Sequence, residues 1–244
     1  MRLKGKVAVV TGGAKRVGKA FALALAKRGC HVVITYRSSR AEASETVRAI
    51  RECRVQGLGL KVDQREGAQV REAVKTVFSR FRRVDILINN ASSFYPTPWA
   101  KVSQAQWDDL LATNLTGPWH FAQAVAPIMK RQGTGKIINI VDVAAFSPWP
   151  SYLPYCVAKG GLVTLTKGLA KALAPDVQVN AVAPGPILFP PGMGAREKKQ
   201  ALDRTLLKRV GSPEDLVQAV LFLLEGADFV TGAILPVDGG RLLA

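Results

Sequence analysis

Histidine and cysteine are scarce in this chain of 244 residues, which holds two histidines, His31 and His120, and three cysteines, Cys30, Cys53 and Cys156. Three scattered thiols exclude a disulfide framework and a cysteine-based zinc site, so free thiols in a reducing compartment are expected. The two histidines read as structural residues, and no metal site is expected. No apolar run approaches the roughly 20 residues of a membrane span. The opening MRLKGKVAVVTGG enters a strand at once, without the pattern of a signal or transit peptide, and the expected location is the cytoplasm. Acids are also few: 18 Asp+Glu stand against 34 Lys+Arg, a net charge of +16. Such an excess favours anionic partners. The basic residues are spread from Arg2 to Arg241, however, and the densest clusters, RFRR near 80 and REKK near 196, are short. No nucleic-acid-binding signature accompanies them, so they read as solvated helix faces. Neither nucleic acid nor membrane is an expected partner.

What is present is the composition of an ordinary globule, 48% apolar and 21% charged, long enough for one large domain. Short apolar runs predict strands at 6–11, 31–36, 57–62, 84–89, 136–141, 177–182 and 233–237. Amphipathic helical patterns fill the gaps, among them GKAFALALAKRG and SPEDLVQAVLFLLEG. In the second, Ser212 is placed to cap, Pro213 suits the first turn and Gly226 the end. This alternation predicts an α/β, single-domain Rossmann fold over residues 1–244, a doubly wound parallel sheet of about seven strands. Two segments break the pattern: SSFYPTPWAKVS (92–103) and APGPILFPPGMGARE (183–197). Both follow strand ends where open α/β sheets place ligands, so substrate loops are expected near 92–103 and 183–200.

The first strand runs into TGGAKRVG, residues 11–18. Glycine in such a turn lets backbone N–H groups approach a diphosphate at a helix N-terminus, although the common GxGxxG pattern is absent. The second strand ends in Tyr36, Arg37, Ser38 and Ser39. An acid there would bond the ribose hydroxyls of NAD; a cation with hydroxyls suits a 2′-phosphate, which predicts NADPH. Arg37 also admits a plain reading as surface charge, but its position favours the cofactor. Lys15 and Arg16 reinforce the same preference, and Asp63, after the third strand, is placed for the adenine edge.

YCVAK puts Tyr155 and Lys159 four residues apart on a predicted helix, hence on one face. An ammonium beside a phenol favours proton exchange near neutrality. The strand IINIV ends on Asp142. One reading makes Asp142 a simple turn residue, with Ser147 or Ser151 supplying a hydroxyl. The other gives it a chemical role: protonated, it feeds a proton through the tyrosine; ionised, it accepts N–H bonds from a substrate.

In chain order, TGGAKRVG, Asn89-Asn90-Ala91, Asn114-Leu-Thr-Gly117 and YCVAK resemble the motifs of the short-chain dehydrogenases/reductases. The resemblance implies cofactor contacts from Gly12, Lys15, Arg16, Val17 and Gly18, from Tyr36, Arg37, Ser38 and Ser39, and from Asp63. It implies others from Asn90, Ala91, Ser92, Lys159, Pro184 and Gly185. Lys159 would hold the nicotinamide ribose and tune Tyr155, and Asn114 would support a relay water. A homotetramer built on helices near 104–131 and 152–173 is implied as well.

Where the family usually has a serine, thirteen residues before the tyrosine, this chain has Asp142. Arg16 stands in place of a loop glycine, and NNASSFYPTP departs from NNAG. These three features resemble the pteridine reductase branch. That resemblance implies NADPH-dependent reduction of a dihydropterin or pterin, with dihydrofolate as a further substrate. Substrate contacts would come from Arg16, Ser92, Phe94, Asp142 and Tyr155, with Phe94 stacked on the flat heterocycle; its other reading is a core aromatic anchoring the loop. Phe189 stands where the family often has threonine near the nicotinamide. Two other readings stay open: a carbonyl reductase such as a 3-oxoacyl thioester reductase, and a non-catalytic, NADPH-binding regulatory protein.

Overall fold

Seven parallel strands lie in the order β3-β2-β1-β4-β5-β6-β7. They are β1 (Val7–Val10), β2 (His31–Tyr36), β3 (Gly57–Lys61), β4 (Ile86–Asn89), β5 (Gly135–Ile140), β6 (Val177–Pro184) and β7 (Ile234–Val237). Every predicted strand is present, within two residues of its expected bounds. The computed structural model describes residues 1–189, 192 and 194–244. Three positions of the expected loop 183–200, namely 190, 191 and 193, therefore lie outside the described residues.

The continuous apolar runs follow from burial on both faces. Side chains alternate along each strand. Ala8, Val10, Val32, Ile34, Ile86 and Ile88 point to one face. There they meet α1 (Arg16–Lys27), α2 (Arg40–Glu52) and, beyond the middle of the sheet, α8 (Pro213–Leu221). Val7, Val9, Val33, Leu87, Ile137 and Val179 point to the other. There they meet α3 (Gly67–Phe81), α5 (Gly117–Arg131) and α6 (Leu153–Leu173). Each fully buried Val or Ile contributes roughly 1.5–3 kcal/mol. The architecture is thus the single-domain, doubly wound Rossmann-type fold.

α1 starts at Arg16, two residues before the predicted run, because Lys15 already ends the glycine turn. The predicted helix over 104–131 is interrupted. α4 (Gln104–Leu111) passes through a π-turn at Ala112–Thr116 into α5. A second π-turn, Phe222–Gly226, ends α8, whose start carries the expected Ser212 cap, here a capping box closed by Asp215. α7 (Ala195–Asp203) follows β6.

One buried polar row crosses the interior. Asn89 Nδ2 donates to Asn139 Oδ1 at 2.8 Å, and Asn139 Nδ2 donates to Thr166 Oγ1 at 2.9 Å. It links β4, β5 and α6, and explains why an amide sits inside the strand IINIV. The strand order reverses between β1 and β4, so their C-terminal ends open the crevice where such sheets bind ligands.

Candidate active site

The crevice is a cavity of about 440 Å³ above β1, β2 and β4. It is lined by Gly12, Lys15, Arg16, Val17, Gly18, Tyr36, Arg37, Ser38, Ser39, Asp63, Asn90, Ala91 and Ser92. Those thirteen sequence-predicted residues are brought together; Pro184, Gly185 and Lys159 are not in this lining. The volume is that of a cofactor-sized cleft. A Cβ on Gly18 would sit 2.2 Å from the Gly12 carbonyl oxygen, and one on Gly12 would sit 2.9 Å from Ala91 Cα. The turn therefore closes on backbone alone. Thr11 Oγ1 accepts the N–H groups of Asn90 and Ala91 at 2.9 and 3.0 Å, and Asn90 Nδ2 donates to the Thr11 carbonyl at 2.9 Å. The Asn90 side chain thus shapes the turn. Thr11 carries no motif beyond its place beside the glycines.

No side chain caps the start of α1, and no acid stands in its first turn. Its free N–H groups and dipole suit a diphosphate. Arg37 and Ser38 are exposed at the rim beside them. An NAD(P) cofactor fits this chemistry: a glycine cradle, an uncapped helix start and a cation at the end of β2. Lys15 departs from expectation in part, because Nζ lies 3.7 Å from Glu42. Arg16 has φ 53°, the left-handed region glycine prefers. Holding a non-glycine residue there costs roughly 1–2 kcal/mol. In return its Nη2 donates to the Leu188 carbonyl at 3.0 Å, tying the loop after β6 to the phosphate turn.

Outside that lining, just after β5, Asp142 is extended, with φ −164° and ψ 154°, and caps a short 3-10 turn, Val143–Ala145. Its Oδ1 accepts the Ala144 N–H at 2.8 Å, and its Oδ2 accepts the Tyr155 hydroxyl at 2.8 Å. One oxygen of Asp142 thus serves the turn and the other meets the Tyr155 hydroxyl, while Ser147 and Ser151 are exposed. Burial raises the Asp142 carboxyl above its ordinary range, against the opposing pull of its hydrogen bonds, Lys159 and Arg241. Burial, then the neighbouring Asp142 charge, raises the Tyr155 phenol well above its usual value. Lys159 is 3% exposed, and burial lowers its ammonium to about 8. Its Nζ lies 5.7 Å from the Tyr155 ring centre and donates to the Ile140 carbonyl at 2.8 Å.

Asn114 sits in the π-turn, fully buried. Its amide nitrogen is spent on the carbonyls of Ser93 and Leu110, and its oxygen accepts the Ser92 hydroxyl at 2.6 Å. The side chain therefore holds the 92–93 backbone, and a relay water would be left to the main chain. Asp63, expected at the adenine edge, is already gripped by Arg65 through bonds of 2.6–3.1 Å. Phe94 joins an aromatic wall. One face stacks on Tyr152 at 4.5 Å and 2°, with Tyr155 edge-on at 4.9 Å and Trp149 edge-on at 6.3 Å. The ring stays 37% exposed. Trp149, Tyr152 and Arg241, whose guanidinium lies 5.6 Å from the Trp149 ring centre, complete this wall. They were missed in the sequence; the aromatic run PWPSY just before Tyr155 was the signal available.

Comparison with known proteins agrees with this geometry. The family described as enoyl-(acyl carrier protein) reductase matches residues 12–241. The 3-oxoacyl-[acyl-carrier-protein] reductase of Staphylococcus epidermidis is 35% identical over 242 residues, covering 98% of this chain and 99% of the relative. The cyclohexanol dehydrogenase of a Rhodococcus species is 38% identical over 260 residues, covering 98% and 96%. Among solved structures, a Sinorhizobium meliloti protein described as a short-chain alcohol dehydrogenase superposes with TM-score 0.93 at 30% identity, covering 99% and 98%. An NAD+-bound xylitol dehydrogenase does so with TM-score 0.92 at 28% identity, covering 98% and 100%. With a glycine cradle, a Tyr155/Lys159 pair and relatives aligned from end to end, the chain belongs to the short-chain dehydrogenase/reductase family of NAD(P)-dependent oxidoreductases.

Proposed function

We propose that the chain is an NADPH-dependent reductase of a pterin-type nitrogen heterocycle, a dihydropterin or pterin, with dihydrofolate as a further substrate. The observation that carries this reading is the bond from Tyr155 to Asp142, where an alcohol-type reductase would place a hydroxyl. A carboxyl group whose proton affinity is raised by burial is suited to reload a phenol with a proton. It also accepts N–H donors, which a pterin offers and a ketone does not.

Gly12, Gly18 and the start of α1 would hold the diphosphate of NADPH, Arg37 and Ser38 its 2′-phosphate, and Lys159 its ribose. Bound there, the reduced nicotinamide supplies the hydride. Tyr155 Oη delivers the proton to the ring nitrogen beside the reduced carbon, and Asp142 Oδ2 returns one to Tyr155. Lys159, with no counter-ion bonded to it among the described residues, favours release from the phenol. Phe94 closes over the heterocycle with its free face, and ring stacking contributes about 1 kcal/mol beyond burial. Arg16 and Ser92 serve both sites, since each lines the cleft and each touches a substrate-side element.

The names of the relatives favour a second reading, a carbonyl reductase acting on 3-oxoacyl thioesters. The same cleft and Tyr155/Lys159 pair serve it; Asp142 is the residue that pulls away from it. In either case a homotetramer in the cytoplasm is proposed, supported by Trp119 on α5 and Val157 on α6, both exposed large apolar side chains. Parallel assays of NADPH oxidation with dihydrobiopterin, biopterin, dihydrofolate and an acetoacetyl thioester, with NADH as control, separate the readings. Turnover of the thioester alone would sink the pterin assignment.

A further inference from the structure

Four side chains run in a row from the adenine end of the cleft to the aromatic wall. Asp63 lines the cleft. Arg65 grips it as a fork: Nε lies 3.0 and 3.1 Å from its two oxygens, and Nη2 lies 2.6 Å from Oδ2. The third nitrogen, Nη1, donates to Asp109 Oδ1 on α4 at 2.7 Å. Asp109 Oδ2 accepts the Tyr95 hydroxyl at 2.9 Å. Tyr95 packs on the cluster of Leu110, Ala144, Tyr155 and Cys156, and is the chain neighbour of Phe94.

We propose that Arg65 is a positioning residue: it couples occupation of the adenine end of the cleft to the setting of the substrate loop at 94–103. The proposal rests on the dinucleotide reading of the cleft, and not on the identity of the reduced substrate.

The physical case is one of rigidity and charge. A guanidinium is planar, and all three of its nitrogens are committed, so it transmits a displacement of one carboxylate to the other. The side chains of Asp63, Arg65 and Asp109 are only 18%, 34% and 26% exposed, so water does not readily substitute for these bonds. Two carboxylates face one guanidinium, which leaves a net negative charge. Asp63 takes three donors from Arg65, the backbone N–H at 3.1 Å included, and keeps about one lone-pair site for the exocyclic amino group of an adenine. That donor fixes Asp63, and through it Arg65, Asp109 and the Tyr95 hydroxyl. The loop then carries Phe94 in its set position against Tyr155. By reciprocity, a ligand against Phe94 raises affinity for the adenosine end by the same factor.

Ser92 and Ser93 line the cleft and would be touched directly by a dinucleotide bound there, so the test reads residues 94–103. Amide hydrogen exchange is measured with and without saturating adenosine 2′,5′-bisphosphate or 5′-AMP, which fill only the adenosine end. The chains are the wild type, Arg65→Met and Tyr95→Phe. Expected in the wild type is exchange at 94–103 slowed by roughly fivefold or more, the lower range of such couplings. In Tyr95→Phe, calorimetric affinity for the nucleotide stays within about twofold while the slowing at 94–103 disappears, since only the last bond of the row is removed. In Arg65→Met both the slowing and part of the affinity are lost. Unchanged slowing in Tyr95→Phe, or none in the saturated wild type, overturns the proposal. Binding of 5′-AMP alone would remove the 2′-phosphate preference and leave the coupling to be read with 5′-AMP. Binding of neither would overturn the dinucleotide reading and the coupling together.

Discussion

The Tyr155 hydroxyl and Asp142 Oδ2 are 2.8 Å apart, and the same carboxylate's other oxygen caps the turn that follows β5. The proposed proton relay and the local fold would therefore share one side chain. Asp142→Asn keeps one acceptor, for the Ala144 N–H, and sets an amide N–H group against Tyr155, which cannot pass a proton. Its melting temperature should stay near that of the wild type while pterin turnover drops roughly 100-fold, the lower range for a lost general acid. Asp142→Ser should lose pterin turnover likewise and gain on acetoacetyl thioester. Equal pterin rates in wild type and Asp142→Ser would contradict the assigned relay.

Lys159 gives a pH dependence of definite sign. Its ammonium is pushed down to about 8 by burial, so it is charged below that pH and neutral above it. Assistance to Tyr155 is present on the acid side, and kcat/KM should fall about tenfold per unit above pH 8. The stability effect runs the other way. Between about 8 and the ordinary 10.5 the unfolded chain binds the extra proton, so this group's contribution to folding improves as pH rises through that window. Lys159→Met should therefore be inactive, yet melt at or above the wild-type temperature at pH 7, as thermal scans of both chains at pH 7 and 9.5 would show.

Arg37 forms no ion pair among the described residues and stands exposed at the rim of the cleft. If it holds a 2′-phosphate, Arg37→Ala should raise the KM for NADPH by roughly 10–100-fold, the value of one charge-assisted bond, and leave NADH unaffected. A parallel loss for both cofactors would place Arg37 elsewhere in the binding event.

At position 16 two substitutions separate backbone strain from the loop tie. Arg16→Ala keeps the left-handed strain and loses the bond to Leu188, whereas Arg16→Gly loses the bond and relieves the strain. The glycine variant should be the more stable of the two by roughly 1 kcal/mol in urea unfolding. Both should show faster amide exchange at residues 186–189.

Gly18→Ala tests the cradle. Its Cβ would meet the Gly12 carbonyl oxygen at 2.2 Å, so the turn must open. A stability loss of about 1–3 kcal/mol is expected, together with loss of NADPH binding by fluorescence titration. Retained affinity would mean that the diphosphate does not lie against this turn.

The seven strands were legible because burial on both faces leaves them as uninterrupted runs such as VAVV and HVVITY, and short turns bound them. The phosphate turn was legible because Gly12 and Gly18 stand where no side chain fits. The π-turn at 112–116 was not, since one extra residue per turn leaves the apolar pattern of α4 and α5 almost unchanged. Nor was the Arg65–Asp109 pair, whose partners lie 44 residues apart with no periodicity to join them. Phe94 was singled out by its position, yet its stacking on Tyr152 depends on how two loops meet, and that is a tertiary fact.

The buried row from Asn89 through Asn139 to Thr166 has a mechanical meaning. Thr166 also donates to the Leu162 carbonyl of its own helix, so its hydroxyl orientation is fixed on both sides. It stands seven residues beyond Lys159, about 10 Å along α6. A helix held to a flat sheet by apolar contacts alone is free to roll by a fraction of a turn, because hydrophobic contact has no direction. A polar peg in the middle of that contact acts as a key in a shaft. It indexes the rotation of α6, so the angle at which Tyr155 meets Asp142 is set about three turns away, by residues outside that contact.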